Sequence, residues 1–411
     1  MQNAKWVEDI SPSLTLAITA KAEALKKEGK KVFAFTAGQP DFTTPQAIRE
    51  KAKKSIDIDQ FTKYSPEAGY LSLRQAIAQK FNRLHQSDYA AENILVSNGA
   101  KQVLAQILQV LLDPKDKVLI PCPAWLSYME MVTMARGQSI TIDVSAAQMK
   151  ITEEVLSSLI QKHAPKVLIL CSPSNPTGAV YSETELYNLV KIAAENKVAV
   201  ILDVVYQRLT FARLPDGQGI EPVSLKKIIA DFKDSVLIVD AVSKEYAMTG
   251  WRIGWVFGPQ AFIKSLSAYQ SHFSSGPCSI SQAAAEEAMS GSAEKEVEEM
   301  AAAYAGRLKL ISSLADQNPQ IGYFPPQGAF YLWIDIRKVL GKKHPSLKKI
   351  IEGSISFAEQ LLEVKQVAVI PGLPFEAKGA KDCHIRLSFA CSNQNITEGM
   401  QRLKSFCEEL A

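Results

Sequence analysis

The strongest restriction on the fold is a series of short apolar runs separated by segments of helical period. The runs cover residues 93–97, 117–120, 139–144, 167–171, 198–202, 236–239 and 253–257. Several are apolar at nearly every position, which suits strands buried on both faces. Helical patterns lie between many of them, as over 100–112 and 182–196. This alternation predicts an α/β fold with a mostly parallel, seven-stranded sheet flanked by helices. Residues 14–31 read as an amphipathic helix that Gly29 would stop. From about residue 293 the chain turns helical, to about 314. A smaller α/β unit then follows, with strands over 329–334, 367–370 and 384–389 and helices near 352–364 and 395–410. The expected division is an N-terminal segment, 1–45, packing with the small domain, a large domain, 46–292, and a small C-terminal α/β domain, 293–411. The basic stretch 337–348 reads as a solvated surface excursion.

Composition narrows the partners. Lys and Arg number 46 and Asp and Glu 43, a net charge of +3. That is too small to point to nucleic acid or an anionic membrane. No window approaches the roughly 18–20 apolar residues of a membrane span. The first ten residues hold no apolar core of a secretory signal. Six scattered cysteines without a Cys-x-x-Cys pair suit reduced thiols in a cytoplasmic enzyme. No His-Glu-x-x-His motif is present, and no metal is expected.

Four segments place polar groups at the ends of apolar runs, where open α/β sheets bind ligands. Asp203, in Leu202-Asp203-Val204-Val205-Tyr206, follows the run 198–202. A carboxylate there is costly without a cationic partner, though a helix cap or a structural ion pair would also explain it. Lys244 follows the run 236–239, and Arg252 comes eight residues later. A desolvated lysine has a lowered pKa and can form a Schiff base, and an arginine can grip a phosphate with two bonds. A plain surface lysine is the competing reading. Ser172-Pro-Ser-Asn175-Pro-Thr-Gly178 is a loop stiffened by two prolines that would aim the Asn175 amide, or else an ordinary strand-to-helix turn. Ser97-Asn98-Gly99-Ala100-Lys101-Gln102 opens a helix with small residues, leaving N–H groups free for an anion. It is not a P-loop, and no Gly-x-Gly-x-x-Gly occurs.

Taken together and in order, these segments resemble the pyridoxal-phosphate-dependent aminotransferases of fold type I, class I/II, in the aspartate aminotransferase-like branch. The resemblance runs from about Ser11 to the C-terminus. It rests on Ala37-Gly38-Gln39-Pro40-Asp41-Phe42, Lys63-Tyr64-Ser-Pro-Glu-Ala-Gly69, Asn98-Gly-Ala-Lys101, 172–178, 203–206, Ser243-Lys244, Met248-Thr-Gly-Trp-Arg252-Ile-Gly254, Gln327-Gly328-Ala329-Phe330-Tyr331 and His384-Ile-Arg386-Leu-Ser388.

The resemblance implies a role for each matching residue. Lys244 would be the Schiff-base lysine for pyridoxal 5'-phosphate and the proton shuttle. Asp203 would face the pyridine nitrogen, and Tyr206 and Asn175 the ring's phenolic oxygen. Gly99, Ala100, the Lys101 backbone, Ser243 and Arg252 would form the phosphate cup. Trp125 would stack on the ring. Tyr64 would reach the phosphate of a second subunit, which implies a homodimer with shared active sites. Arg386 would clamp the substrate α-carboxylate, under a loop that presents Gly38 or Gln39. Asn175 and Trp125 would also touch substrate. Lys101 matches a lysine that meets a distal carboxylate, which favours L-aspartate with 2-oxoglutarate.

Some relatives also use prephenate and carry a lysine before a Pro-Ser pair. Here Ser11 precedes Pro12-Ser13, which argues against that substrate. Val204 and Gln207 replace acidic residues common in the family. The alternatives are an aminotransferase for aromatic or neutral amino acids, kynurenine-like ones included, and a carbon–sulfur lyase on the same fold.

Overall fold

The computed structural model describes residues 2, 4–11, 14–211 and 222–411. Pro12-Ser13 therefore lies outside the described residues. The helix Leu14–Lys27 ends as its sequence suggests, at Gly29 with φ +81°. The left-handed backbone that closes the turn favours a residue without Cβ. β1 (Phe33–Ala34) follows.

Next come the strands of the main sheet. They are β2 (Ile94–Ser97), β3 (Lys117–Cys122), β4 (Gln138–Asp143), β5 (Val167–Cys171), β6 (Ala199–Asp203), β7 (Val236–Ala241) and β8 (Gly254–Phe257). Their order across the sheet is β2-β8-β7-β6-β5-β3-β4. All neighbouring pairs are parallel except the two that involve β8. The seven apolar runs thus form one seven-stranded sheet, as expected.

Alternate residues of each strand enter two different cores. Leu168, Leu170, Val200, Leu202 and Ile238 join one, and Val167, Ile169, Ile201, Leu237 and Val239 the other. A period of two with both sets apolar is what helices on both faces require. The helix Glu183–Glu195 shows how local chemistry starts such a cover. Ser182 accepts from the Glu185 N–H, and the Glu185 carboxylate accepts from the Ser182 N–H.

A long helix, Glu294–Asp316, leads to the remaining strands. They are β9 (Gly322–Phe324), β10 (Tyr331–Asp335), β11 (Val367–Ala368), β12 (Ile370–Pro371) and β13 (His384–Ser388). The antiparallel order is β12-β13-β10-β9, while β11 pairs in parallel with β1. The run 367–370, expected as one strand, is two. Its first half joins the N-terminal strand and its second half joins β13. Pro371 offers no N–H to a ladder, and β12 accordingly lies at a sheet edge.

The stretch 337–348 also differs from expectation. Arg337, Lys338, Lys343 and Lys348 are exposed, but His344 is buried against Phe406 with ring centroids 5.4 Å apart, and it bonds Glu409 at 2.9 Å. The Lys343 N–H donates to the Ala411 carbonyl at 2.8 Å. The last helix, Asn393–Glu409, holds this excursion down. Among the described residues no helix is long and apolar enough to cross a membrane.

Candidate active site

The ladder register lines up the carboxyl ends of the parallel strands. Cys171 pairs with Asp203, and Asp203 with Val239. Three loops leave from that edge, carrying Asn175, Tyr206 and Lys244. The antiparallel strand β8 begins at the same edge. Its first residue, Gly254, pairs with both Ser97 and Ala241. That pairing sets the turn 97–102 beside the short helix Val242–Glu245, which holds Ser243 and Lys244.

The cradle is built by closeness. A Cβ on Gly254 would stand 2.3 Å from the Ala100 nitrogen. Gly99 has φ +88°, and its Cβ would fall 2.5 Å from Arg252 Nη2. Ala100 and Lys101 open the helix Ala100–Leu111, so their N–H groups have no intrahelical acceptor. The Arg252 guanidinium donates only to carbonyls, Thr249 at 3.0 Å and Asn98 at 3.3 Å. Arg252 makes no ion pair among the described residues.

Asp203 is buried and has no cation in contact among the described residues. It accepts from the Tyr128 hydroxyl at 2.6 Å and the Val205 N–H at 3.2 Å. Burial pushes its carboxyl up to about 6, against those two bonds and the more distant charge of Lys244. Lys244 is half-buried and donates to the Gly38 carbonyl. Loss of water, then the cations of Arg386, Arg252 and Lys101, hold its amine down to about 7, with Asp203 opposing.

Arg386, in the middle of β13, is buried without an anion among the described residues. Nη1 donates to Asn175 Oδ1 at 3.0 Å and Nη2 to the Thr36 carbonyl at 3.3 Å, while Nε has no partner. Its guanidinium lies 4.5 Å from the Tyr331 ring centroid and 5.2 Å from that of Phe375. The Tyr206 hydroxyl meets that of Tyr331 at 2.8 Å. Trp125 meets Tyr128 edge-on at 5.4 Å, and the Lys101 ammonium stands 4.9 Å from the Trp125 ring centroid. Partial burial first, and Arg252 second, lower the Lys101 pKa. Gln39 is exposed, and its side-chain oxygen accepts from Thr249 at 3.4 Å.

The fold thus brings Gly38, Gln39, Gly99, Ala100, Lys101, Trp125, Asn175, Asp203, Tyr206, Ser243, Lys244, Arg252 and Arg386 together beside the carboxyl edge of the main sheet. Tyr64 is not among them: it is 95% exposed. Sequence reasoning gave no role to Tyr128, Tyr331 or Thr36. Tyr331 falls inside a quoted motif and Tyr128 lies three residues after Trp125, but nothing local showed that Tyr128 would meet Asp203 and Tyr331 would meet Tyr206.

The donor set fits a phosphorylated, cationic-ring aldehyde. Arg252 and two free N–H groups suit a dianion. Asp203 lacks the positive charge that would keep it ionised. Lys244 is a lysine whose amine is partly unprotonated at neutral pH. Arg386 has room in its charge balance for a carboxylate.

Residues 30–403 match the family described as aminotransferase class I and II. The chain is 37% identical over 410 residues to the aspartate aminotransferase of Bacillus subtilis, covering 100% of each. It is 39% identical over 403 residues to a protein of Rickettsia bellii named "probable aspartate/prephenate aminotransferase", covering 98% of each. Among solved structures, the aspartate aminotransferase of Rhizobium meliloti superposes with a TM-score of 0.91 at 34% identity, over 100% of both chains.

Proposed function

The chain belongs to the class I and II aminotransferases, and from that premise we propose that it uses pyridoxal 5'-phosphate to move the amine of L-aspartate to 2-oxoglutarate, giving oxaloacetate and L-glutamate. The observation that carries this reading is the buried Arg386 guanidinium, which has no anion of its own and faces the same cleft as the Lys244 amine. When bound, the cofactor supplies an aldehyde carbon for an amine and a ring that accepts the electron pair left at the substrate Cα.

The protein's residues do the rest. Gly99, Ala100, the Lys101 backbone, Ser243 and Arg252 would hold the phosphate, and Asp203 would keep the ring nitrogen positive. Trp125 would stack on the ring, and Tyr206 and Asn175 would serve the oxygen beside the aldehyde. Arg386 grips the α-carboxylate at two points and so fixes which Cα bond is aimed for cleavage. With the cofactor bound, Lys244 would take the substrate's Cα proton at Nζ and would be the group that gives a proton back. An amine held to about 7 can do both at neutral pH. The Lys101 ammonium, over Trp125, offers a second cation for a distal carboxylate. Gly38 and Gln39 edge the substrate space.

The same reading includes a cytoplasmic homodimer in which Tyr64 of each copy serves the other's phosphate. Six unpaired cysteines support the compartment, and the 95% exposure of Tyr64 supports the shared site. It also includes the division of the chain into 1–45, 46–292 and 293–411. The pairing of β1 with β11, and the packing of Ile18 with Trp333, Ile370 and Phe375, support grouping the N-terminal segment with the C-terminal part.

A single-turnover titration tests the substrate. Cofactor-loaded protein is mixed with each of a panel of amino acids, and the absorbance of the lysine-bound cofactor is followed. Aspartate and glutamate should discharge it fast, tyrosine and alanine slowly. Fast discharge by aromatic or neutral amino acids would overturn the aspartate assignment. No discharge by any of them would point to a carbon–sulfur lyase.

A further inference from the structure

The helix that carries Lys244, Val242–Glu245, is four residues long. A single turn does not hold its own shape, because nucleating a helix costs more than one turn returns. Something outside must set its rotation. Neighbouring side chains on a helix diverge by about 100°, so Glu245 turns away from the cleft that Lys244 enters.

Behind the helix lies a buried ion cluster that the proposed reaction does not use. Lys80 donates to the Glu245 carboxylate and to the Tyr246 hydroxyl. Arg208 Nε lies 4.0 Å from the same carboxylate, and Arg208 also pairs with Glu294. Burial would raise the Glu245 pKa, but Lys80 and Arg208 outweigh it and hold the group ionised. Glu294 starts the long helix Glu294–Asp316. Arg208 follows Tyr206 by two residues, so one cluster anchors the segments of two site residues.

None of these groups is among the charges that act most on the Lys244 amine, which are Arg386, Arg252, Asp203 and Lys101. Their influence is therefore geometric. Val242 and Tyr246 are buried in the large apolar core, and the ion cluster adds a polar hold at Glu245. A cavity of about 20 Å³ lies behind the helix, lined by Lys80, Gln207, Asp240, Glu245 and Trp255 among others.

We propose that Glu245 is a positioning residue for Lys244. Bonded to Lys80 and facing the Arg208 guanidinium across 4.0 Å, it fixes the rotation of the one-turn helix and hence where the Lys244 amine stands. The inference rests on Lys244 holding the cofactor.

The test uses full-length, cofactor-loaded protein with Glu245→Gln, Lys80→Met and the double substitution. The readouts are the pH midpoint of the absorbance band of the lysine-bound cofactor and the rate of cofactor loss. Each single variant should shift the midpoint by about half a pH unit or more and speed cofactor loss about fivefold. The double variant leaves Lys80 and Glu245 without an orphaned charge between them. Because either substitution alone already breaks the contact, it should match the more affected single on both readouts and not sum the two. If Glu245→Gln does not fold, Lys80→Met and the double variant decide. Singles that lower the melting temperature but keep the wild-type midpoint and loss rate would overturn the proposal, as would a double variant that sums the singles. A wild-type protein with no pH-dependent band would instead sink the reading of Lys244 itself.

Discussion

Asp203 shows what a single residue owes to a group it is built to face. Buried and held only by Tyr128 and the Val205 N–H, it is raised from 3.8 to about 6. The sign follows from proton counting. Between pH 3.8 and 6 the unfolded chain has lost this proton and the folded chain has kept it, so stability falls as pH rises through that window. Above it the penalty is complete, about 3 kcal/mol for a shift of this size. Asp203→Asn should therefore stabilise the cofactor-free protein by about 1–3 kcal/mol at pH 7 and by almost nothing at pH 4. Urea unfolding at the two pH values checks this. In cofactor-loaded protein the gain should vanish or reverse, because the ring cation then compensates the carboxylate. An equal gain at both pH values would mean that the substitution acts through packing. Asp203 and Lys244 were legible in the sequence because each is a charge at the end of or just after an apolar run, whereas Arg386 was legible only through the resemblance of its motif. Their partners were not. The bond from Arg386 to Asn175 joins residues 211 apart. That from Tyr128 to Asp203 joins residues 75 apart. Only the folded chain makes either neighbour visible.

At the scale of elements, pattern located the strands but not always their partners. The main sheet was readable because each strand sends alternate residues into two apolar cores, which leaves almost no polar position. The split of 367–370 was not readable, since β11 and β12 share one apolar run and differ only in what lies beside them. The missed strands β1 and β9 are two and three residues long, too short for a period to show. The glycines near β8 separate the same way. In Gly250-x-x-x-Gly254 the sequence treats both alike. A Cβ on Gly254 would strike the Ala100 nitrogen at 2.3 Å, backbone against backbone, while one on Gly250 would meet nothing within 4 Å. Gly254→Ala must therefore push the cradle of Ala100 and Lys101 away from Arg252. It should raise the dissociation constant for pyridoxal 5'-phosphate by about tenfold or more, and Gly250→Ala should leave it unchanged. Equilibrium dialysis of the two variants makes the comparison. Equal affinities would show that the cradle is not where the phosphate binds.

At the scale of the whole molecule, one chain assembles every expected site residue except Tyr64, whose side chain stands in the open. An aromatic residue so exposed is ordinary if it is a surface accident and informative if a second copy completes the site. The two cases differ in a mixing experiment. In a symmetric dimer with shared sites, one site uses Lys244 of one copy and Tyr64 of the other. Lys244→Ala should abolish turnover, and Tyr64→Ala should weaken cofactor binding so that activity is low when cofactor is limiting. Unfolding the two variants together and refolding them at equal concentrations makes half of the dimers hybrids. Each hybrid has one site with both native residues and one with neither. Activity at limiting cofactor should then rise to about a quarter of wild type, the share of intact sites. If Tyr64 served its own chain, no hybrid would hold an intact site. The mixture would then give only the average of its two parents.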